Sequence, residues 1–226
     1  LQRLALASDL AALEKALALA GQAYQAEARR VSQARGRGAP KLAKAITQAM
    51  QGLGMQGGSF EVALNKLPQG QSSGLEEVVF LVAGHAGSTP RPVGKVASGG
   101  ELSRIALAIA VTTSALGQAQ TLIFDEVDSG VGGAVAETVG RLMQQLGADR
   151  QVLAVTHLPQ VAACAHHHWV VTKRSDKSGS FSQLQAVTDN DRVQEIARML
   201  GGDKRSATSL AHAQEMLQNL SAGGGA

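Results

Sequence analysis

The chain has 226 residues, of which 44% are hydrophobic and 17% charged, and its formal net charge is +3. This balance allows a packed core and excludes an intrinsically disordered chain. Aromatic residues make up only 3%, so the core must be aliphatic, which favours an α/β domain over an aromatic-rich binding module.

Cysteine content and hydropathy limit the cellular environments in which the protein is expected. The single cysteine, Cys164, has no partner for an internal disulfide, which indicates a reducing, cytoplasmic environment. No apolar run approaches the roughly 20 residues that span a bilayer, so we expect no membrane partner. The sequence begins at Leu1 inside a helical pattern and without an initiator methionine, so we expect a piece of a longer chain.

The beginning of the chain predicts a helix with a heptad stripe. Its apolar residues recur in steps of four and three, and the pattern skips Glu27. The stripe consists of Leu6, Leu10, Leu13, Leu17, Ala20, Tyr24 and Val31. Such a stripe is expected where one helix packs lengthwise on another, so we predict the end of an antiparallel coiled-coil arm. An ordinary amphipathic helix is the alternative.

The next segment combines helix breakers with basic residues. Gly36, Gly38 and Pro40 predict that the first helix ends there and that a second, short helix covers residues 41–52. The densest basic run of the chain consists of Arg29, Arg30, Arg35, Arg37, Lys41 and Lys44. Two interpretations of this run stay open, a solvated surface or contact with nucleic-acid phosphates.

An α/β domain follows. We assign residues 1–55 to the coiled-coil end and its connecting helix, and residues 56–226 to the α/β domain. Alternating apolar and polar residues predict a half-buried strand at 59–67 and a second strand at 77–83, and a Gly/Pro-rich loop follows at 84–97. Beyond this loop, helices are expected at 102–116, 133–146, 190–200 and 206–220, and strands at 121–124, 151–156, 169–172 and 181–186. This alternation predicts helices that flank a central sheet containing parallel strands.

Two adjacent carboxylates follow the strand at 121–124. Because the strand is mostly apolar, we expect it to be buried on both faces, and open α/β sheets bind ligands at the carboxyl ends of such strands. Asp125 is placed to hold Mg²⁺, directly or through water, and Glu126 to orient and polarise an attacking water. Taken alone, an Asp-Glu pair after a strand could simply start a turn.

A histidine follows the next apolar strand, about thirty residues further along the chain. We expect the strand that leads to Thr156 and His157 to lie beside the first, which would bring His157 close to the two carboxylates. An imidazole there can hydrogen-bond a γ-phosphate or an attacking water. A histidine with a purely structural role is the alternative.

A glycine-rich helix start precedes both strands, at Ser98-Gly99-Gly100-Glu101. The two glycines let backbone N–H groups approach an anion closely, and the positive end of the helix dipole points to the same place. Ser98 and Glu101 also fit a capping box, so a well-capped helix without a ligand is the alternative. That alternative leaves the two glycines unexplained.

In this order and spacing, the three segments resemble the core of ABC-type ATPases. The resemblance implies that Ser98–Glu101 is the signature motif, which contacts the γ-phosphate of an ATP bound to a second head. It implies that Asp125 and Glu126 are the metal-binding and catalytic carboxylates of the Walker B segment. It also implies that Asp128 marks the D-loop and that His157 is the switch histidine.

More narrowly, the chain is similar to the C-terminal part of the RecN family of SMC-type ATPases in bacterial DNA repair. The segments that carry this similarity cover most of residues 59–220, and they are 95–104, 124–133, 156–162 and 195–202. The similarity implies ATP and Mg²⁺ as cofactors, a homodimer of heads, and DNA as a partner in double-strand break repair and recombination near the nucleoid. The sequence departs from the family at 85–88, where an Asn-Pro-Gly-Glu-like turn is expected, and Ala97 replaces the Leu of the general ABC signature.

One part of an ATPase is absent from the 226 residues, a phosphate-binding loop of the form Gly-x-x-x-x-Gly-Lys-Ser/Thr. The resemblance implies that an N-terminal lobe carries this loop, so we expect the chain alone to bind ATP poorly and to hydrolyse almost none. Two alternatives are a piece of a transporter nucleotide-binding subunit, which would normally carry its own loop, and a non-catalytic interaction module on the same fold. The run His166–His168 enters a strand, where successive side chains point to alternate faces, so we do not expect it to bind a metal.

Overall fold

The computed structural model describes residues 10–96, 98–117, 119–176, 179–202 and 206–221. The helices are α1 (Leu10–Gly52), α2 (Gly99–Thr112), α3 (Gly133–Leu146), α4 (Pro159–Ala163), α5 (Asp189–Gly201) and α6 (Ala207–Ser221). The strands are β1 (Ser59–Gln71), β2 (Gly74–Ala83), β3 (Arg91–Pro92), β4 (Thr121–Phe124), β5 (Gln151–Ala154), β6 (His168–Asp176) and β7 (Gly179–Val187). Short 3₁₀ turns lie at Val93–Lys95 and Ser114–Leu116. Within the described ranges, each helix is either too short or too polar to cross a bilayer.

The first helix is longer than the sequence predicts. α1 runs unbroken for 43 residues and contains Pro40, so the predicted break at Gly36, Gly38 and Pro40 is wrong. Pro40 removes one helical hydrogen bond, the one to the carbonyl of Gly36, at a cost of about 3 kcal/mol. Packing on both sides of Pro40 outweighs that local cost, since the β1–β2 hairpin lies along the helix.

Hydrogen bonds hold the hairpin to α1 at two distant points. Near the hairpin tip, the Tyr24 hydroxyl donates to the carbonyl of Gln71 over 2.9 Å. Near the hairpin base, the Thr47 hydroxyl accepts from the N–H of Phe60 over 2.8 Å. These contacts lie on either side of Pro40, so the hairpin supports the helix across its weakest position.

Among the described residues, the strands form three small sheets in place of the single central sheet that the alternation predicts. β1, β2 and β3 form an antiparallel sheet, β4 pairs with β5 in parallel, and β6 pairs with β7 antiparallel. The predicted parallel pair is therefore present. Each of its strands has one neighbour among the described residues, so both of its outer edges are unpaired.

The parallel pair is covered on one side only. Phe124 is 5% exposed and lies in the main core, whereas its neighbour Ile123 is 70% exposed. The prediction that this strand is buried on both faces is therefore wrong. An apolar strand is typical of a sheet with two covered faces, but the described part of the chain supplies the cover for one.

The core has two parts. The main cluster joins the end of α1 to β1, β2, α2, β4 and α3, and its fully buried side chains include Ile46, Met50, Leu107 and Val139. A smaller cluster of mostly small side chains joins α4, α5 and α6. The last turns of α1 thus belong to the core of the α/β domain, and the division near residue 55 stays a prediction.

Several element boundaries differ from their predicted positions. β4 and α3 begin and end as predicted, whereas α2 begins at Gly99 and ends at Thr112, before a 3₁₀ turn. The five-residue helix α4 was not predicted, because one and a half turns give no periodicity to recognise. In the heptad stripe, Leu10, Leu13 and Leu17 are exposed, and Leu6 lies outside the described residues.

Candidate functional site

The ends of the two parallel strands lie next to each other. β4 and β5 are in register, with Phe124 opposite Ala154, and the N–H of Val155 donates to the carbonyl of Phe124 over 3.1 Å. The residues that follow each strand therefore begin at one edge of the sheet. The predicted adjacency of the carboxylate segment and the histidine segment is confirmed.

Asp128 joins these two segments. Its side chain is buried, at 2% exposure of the residue, and one oxygen, Oδ2, accepts two hydrogen bonds. The Thr156 hydroxyl donates to it over 2.5 Å, and the backbone N–H of His157 donates over 3.0 Å. A buried carboxylate needs such donors to offset its desolvation, and here they come from the far strand. The loop after β5 is thereby tied to the loop after β4.

The imidazole of His157 is held at one nitrogen and otherwise open. Its Nδ1 lies 3.3 Å from Oδ2 of Asp128, while 72% of the side chain is exposed. A contact at Nδ1 orients the ring and leaves Nε2 available for another group. This arrangement agrees better with a ligand-facing histidine than with a histidine buried for structural reasons.

The two consecutive carboxylates lie in a tight, solvent-exposed turn. Glu126 has φ of 55°, in the left-handed region that costs a non-glycine residue about 1–2 kcal/mol. The turn is closed by the N–H of Ser129, which donates to the Glu126 carbonyl over 3.0 Å. Asp125 Oδ1 accepts from the N–H of Glu126 over 2.9 Å, and Ser103 Oγ donates to the Asp125 carbonyl over 2.5 Å. Backbone strain that is held in place by surrounding hydrogen bonds is frequent at functional sites.

The glycine-rich helix start packs directly on this turn. Ser98 caps α2 by accepting from the N–H of Glu101 over 3.3 Å, as predicted. A Cβ at Gly99 would overlap the carboxylate of Glu126, and a Cβ at Gly100 would lie 3.0 Å from the carbonyl oxygen of Ser129. The two glycines therefore have a packing role within the chain, which sequence analysis left unexplained. The third predicted segment thus meets the first, although Ala97 lies outside the described residues.

Arg104 is a site residue that sequence analysis did not single out. It is buried, and its Nη1 donates to the carbonyl of Ser129 over 2.7 Å. Burial lowers the pKa of Arg104, and the charge of Glu101 opposes that shift. The helical period was the available signal, because Arg104 lies four positions after Gly100 and so returns to its face of α2. Arg104 links α2 to the loop that carries Asp128.

α4 continues from the histidine segment and is fixed at its C-terminal end. Arg192 on α5 donates to the carbonyls of Ala162, Ala163 and Ala165 over 3.3, 3.1 and 2.5 Å. A Cβ at Gly140 on α3 would lie 2.6 Å from the sulfur of the cysteine that caps α4, so α3 and α4 approach closely. Burial raises the pKa of that cysteine, Cys164, to about 11, which keeps the thiol neutral.

The histidine run at the start of β6 lies apart from these segments. Among the described residues, no group of three or more His, Cys, Asp or Glu side chains is arranged to hold a metal ion. His168 is partly buried, and burial followed by the charge of Arg192 lowers its pKa.

The sequence is similar to that of known proteins. No family model matches the chain. A protein from Haemophilus influenzae named DNA repair protein RecN is 43% identical over 194 residues, which cover 85% of this chain and 35% of that protein. Those matches lie in the C-terminal part of the relatives. This chain is RecN-like. RecN of Vibrio cholerae is 41% identical over 197 residues, and RecN of Deinococcus radiodurans is 39% identical over 212 residues, or 94% of this chain. The chain spans about a third of the length of these RecN relatives.

A solved structure shares the fold. The Smc head domain with a coiled coil and joint from Pyrococcus yayanosii superimposes with a TM-score of 0.51 at 20% sequence identity. The match covers 69% of this chain and 28% of that one. The RecN-like chain therefore has an SMC-head fold. The predicted ATPase-head fold of mixed helices and strands is confirmed, and the coiled-coil arm stays a prediction.

Proposed function

We propose that this chain is the C-terminal half of an SMC-like ATPase head, and that the complete head couples ATP binding and hydrolysis to head dimerisation in DNA double-strand break repair and recombination. The observation that carries the proposal is the Asp128 contact between the two strand ends. It brings one exposed imidazole and two exposed carboxylates to a single edge of a parallel sheet, which is where α/β folds bind nucleotides.

The carboxylates fit the chemistry of Mg²⁺ and water. Asp125 is exposed at the end of β4, and its Oδ1 accepts one backbone N–H, so it has oxygen lone pairs available to Mg²⁺ or to a water bound to it. When bound, Mg²⁺ neutralises phosphate charge and orients the phosphates. Glu126 then orients and polarises the attacking water as a general base. His157, held at Nδ1 by Asp128, hydrogen-bonds the γ-phosphate or that water through Nε2.

The signature segment acts on the nucleotide of a second head in this proposal. Ser98 and Gly100 contact a γ-phosphate across the dimer interface, and Gly99 and Glu101 complete the helix start that approaches it. In the structure the carboxylate of Glu126 rests against Gly99 of its own chain. The position of Glu126 beside Gly99 places the carboxylate next to the signature segment, and the D-loop residue Asp128 is hydrogen-bonded to Thr156 and His157.

The exposed apolar surface of the strands supports an N-terminal lobe, which carries the phosphate-binding loop, as a partner of this chain. Ile123, Leu153 and Val155 are exposed on the parallel pair, and Trp169 and Leu184 are exposed on the β6–β7 hairpin. Parallel strands in stable α/β domains are covered on both faces, so this apolar surface is suited to a second layer. The exposed leucines near the start of α1 are likewise suited to a partner helix of a coiled-coil arm.

Reconstitution tests the proposal. The chain and an N-terminal lobe of the same head would be co-expressed, and ATP turnover and head dimerisation would be measured together. We expect turnover from the pair and almost none from the chain alone. Glu126→Gln should retain ATP-dependent dimerisation and lower turnover by roughly 10²–10⁴-fold, the usual contribution of a general base. Near-normal turnover of Glu126→Gln would remove Glu126 from the catalytic role, and micromolar ATP binding by the chain alone would contradict the need for the lobe.

The same assay separates the two alternatives. A non-catalytic interaction module would associate with the lobe but yield no turnover above that of Glu126→Gln. A transporter subunit would hydrolyse ATP without any requirement for the α1 stripe. Replacing Leu10, Leu13 and Leu17 by Gln should therefore leave a transporter-type head unchanged, whereas it should impair pairing of the arm in an SMC-type head.

A further inference from the structure

One face of α1 is basic and lies opposite the face that packs on the protein. Ala28 and Ile46 are buried, and they mark the side of α1 that faces the hairpin and the core. Four basic residues are separated by seven, four and three positions, which puts them on a single helix face. At about 100° per residue, this face points away from Ala28 and Ile46. We call it the α1 basic face, and it consists of Arg30, Arg37, Lys41 and Lys44, all of them exposed.

Acidic residues do not balance this charge. The sequence contains no Asp or Glu between Glu27 and Glu61. Arg30 pairs with Glu27 at the end of the face, in a solvent-exposed contact whose net worth is small. In the described part of the chain, the remaining members Arg37, Lys41 and Lys44 have no ion-pair partner. Three uncompensated cations therefore project from one continuous helix.

We propose that the α1 basic face binds the phosphate backbone of duplex DNA. From Arg30 to Lys44 the face extends for roughly 21 Å at 1.5 Å per residue. A DNA duplex carries one phosphate charge per about 1.7 Å of its axis, so several phosphates come within reach of such a face. Proteins that bind single strands add aromatic side chains on which bases stack, and the one aromatic residue of α1, Tyr24, is hydrogen-bonded to the hairpin. Phosphate contacts alone recognise the duplex without reading its sequence.

This inference deepens the proposed function, because it names the surface through which the head meets DNA. It does not require nucleotide, the N-terminal lobe or Glu126. Failure of DNA binding and failure of ATP hydrolysis are therefore separate results. The substituted residues lie outside the proposed catalytic and signature segments, so basal turnover of the reconstituted head should not change.

The test is binding of the full chain to a short fluorescein-labelled DNA duplex, followed by fluorescence anisotropy in the absence of nucleotide. The test variant replaces Arg37, Lys41 and Lys44 with Gln. Loss of three phosphate contacts should reduce the slope of log K against log salt by about 2.7, and should weaken binding on the order of 100-fold at about 0.1 M salt. Circular dichroism checks that α1 is retained.

Two matched variants make the result specific. The control replaces three exposed basic residues elsewhere, Lys66, Lys173 and Arg174, with Gln, and so removes the same net charge. It should bind nearly as tightly as the unmodified chain. A charge-preserving variant, R37K/K41R/K44R, should also keep its affinity. The proposal is overturned if the control loses as much affinity as the test variant, if the test variant keeps its salt slope, or if the charge-preserving variant fails to bind.

Discussion

The two faces of the parallel pair β4–β5 differ in how the chain covers them. On one face, Phe124 packs into a core that extends from the end of α1 to α3. On the other face, Ile123, Leu153 and Val155 are exposed, although their side chains are as apolar as those in the core. Both faces of the pair carry apolar side chains, so the sequence of the strands does not distinguish them. The difference teaches that the apolar composition of a strand shows that it can be buried. Whether a face is buried depends on which helices or strands of the chain pack against it.

The same contrast separates the halves of α1. The C-terminal half is wedged between the hairpin and the core, whereas the leucines of the N-terminal half are exposed. Fully burying a leucine or isoleucine is worth about 1.5–3 kcal/mol. Binding of a lobe or helix that covered these surfaces would therefore be stabilised by several such contributions to the free energy. Mutations on the covered and uncovered surfaces should differ accordingly.

The largest effect is expected in the covered core. Met50 is 0% exposed, so Met50→Ala should lower the free energy of unfolding by about 2–5 kcal/mol through lost contacts and a new cavity. Leu17, on the same helix, is 75% exposed, and Leu17→Ala should change it by less than about 0.5 kcal/mol. Urea denaturation of the two variants measures both. Equal destabilisation would mean that the first half of α1 is packed in solution.

A smaller loss is expected at the polar link between the strand ends. Asp128→Ala would leave the His157 N–H without its acceptor and the Thr156 hydroxyl with only the longer contact to the Leu158 carbonyl, at a cost of about 1–3 kcal/mol. Asp128→Asn keeps an acceptor oxygen and should cost less. Asp149, which is exposed, supplies the control through Asp149→Ala. If Asp128→Ala unfolds at the same urea concentration as that control, Asp128 does not join the two loops in solution.

A mutation on the uncovered face of β4 should change the affinity for the N-terminal lobe and not the stability of the chain. Ile123→Thr keeps the β-branched shape, so the free energy of unfolding of the chain should change by no more than about 0.5 kcal/mol. Its affinity for the N-terminal lobe should fall about tenfold, which corresponds to 1.4 kcal/mol of lost apolar contact. Calorimetric titration with the lobe measures the second quantity. Unchanged affinity would mean that the lobe does not cover β4.

The smallest effect is a dependence on pH. The pKa of His168 is lowered from its ordinary value of 6.5, first by burial and then by the charge of Arg192. The unfolded chain therefore takes up a proton at a higher pH than the folded chain. The folded state therefore keeps its full stability above the pKa of His168 in the unfolded chain. That stability is lost as pH falls from about 6.5 through the lower pKa of His168 in the folded chain. His168→Asn should flatten the fall in melting temperature over this range, whereas His167→Asn should not; identical slopes in both variants would contradict this origin.

Much of the candidate site could be predicted because its signals are local. The apolar run at Thr121–Phe124 and the period of α3 predict elements whose ends the structure reproduces. The order of the signature, carboxylate and histidine segments predicts their meeting, since parallel strands end at one edge of a sheet. The left-handed turn at Glu126 and the three-carbonyl contact of Arg192 have no sequence pattern of their own.

The sequence by itself determined the periodic elements, the cap at Ser98 and the chemical groups available at each strand end, because these depend on a residue and its near neighbours. Tertiary structure alone decided that α1 continues through Pro40, that β4 is covered on one side, and that Gly99 and Gly100 give room to Glu126 and Ser129. Each of those outcomes depends on contacts between residues far apart in the chain. A hairpin can offset the hydrogen bond lost at a proline, and an apolar strand is buried only where another element covers it.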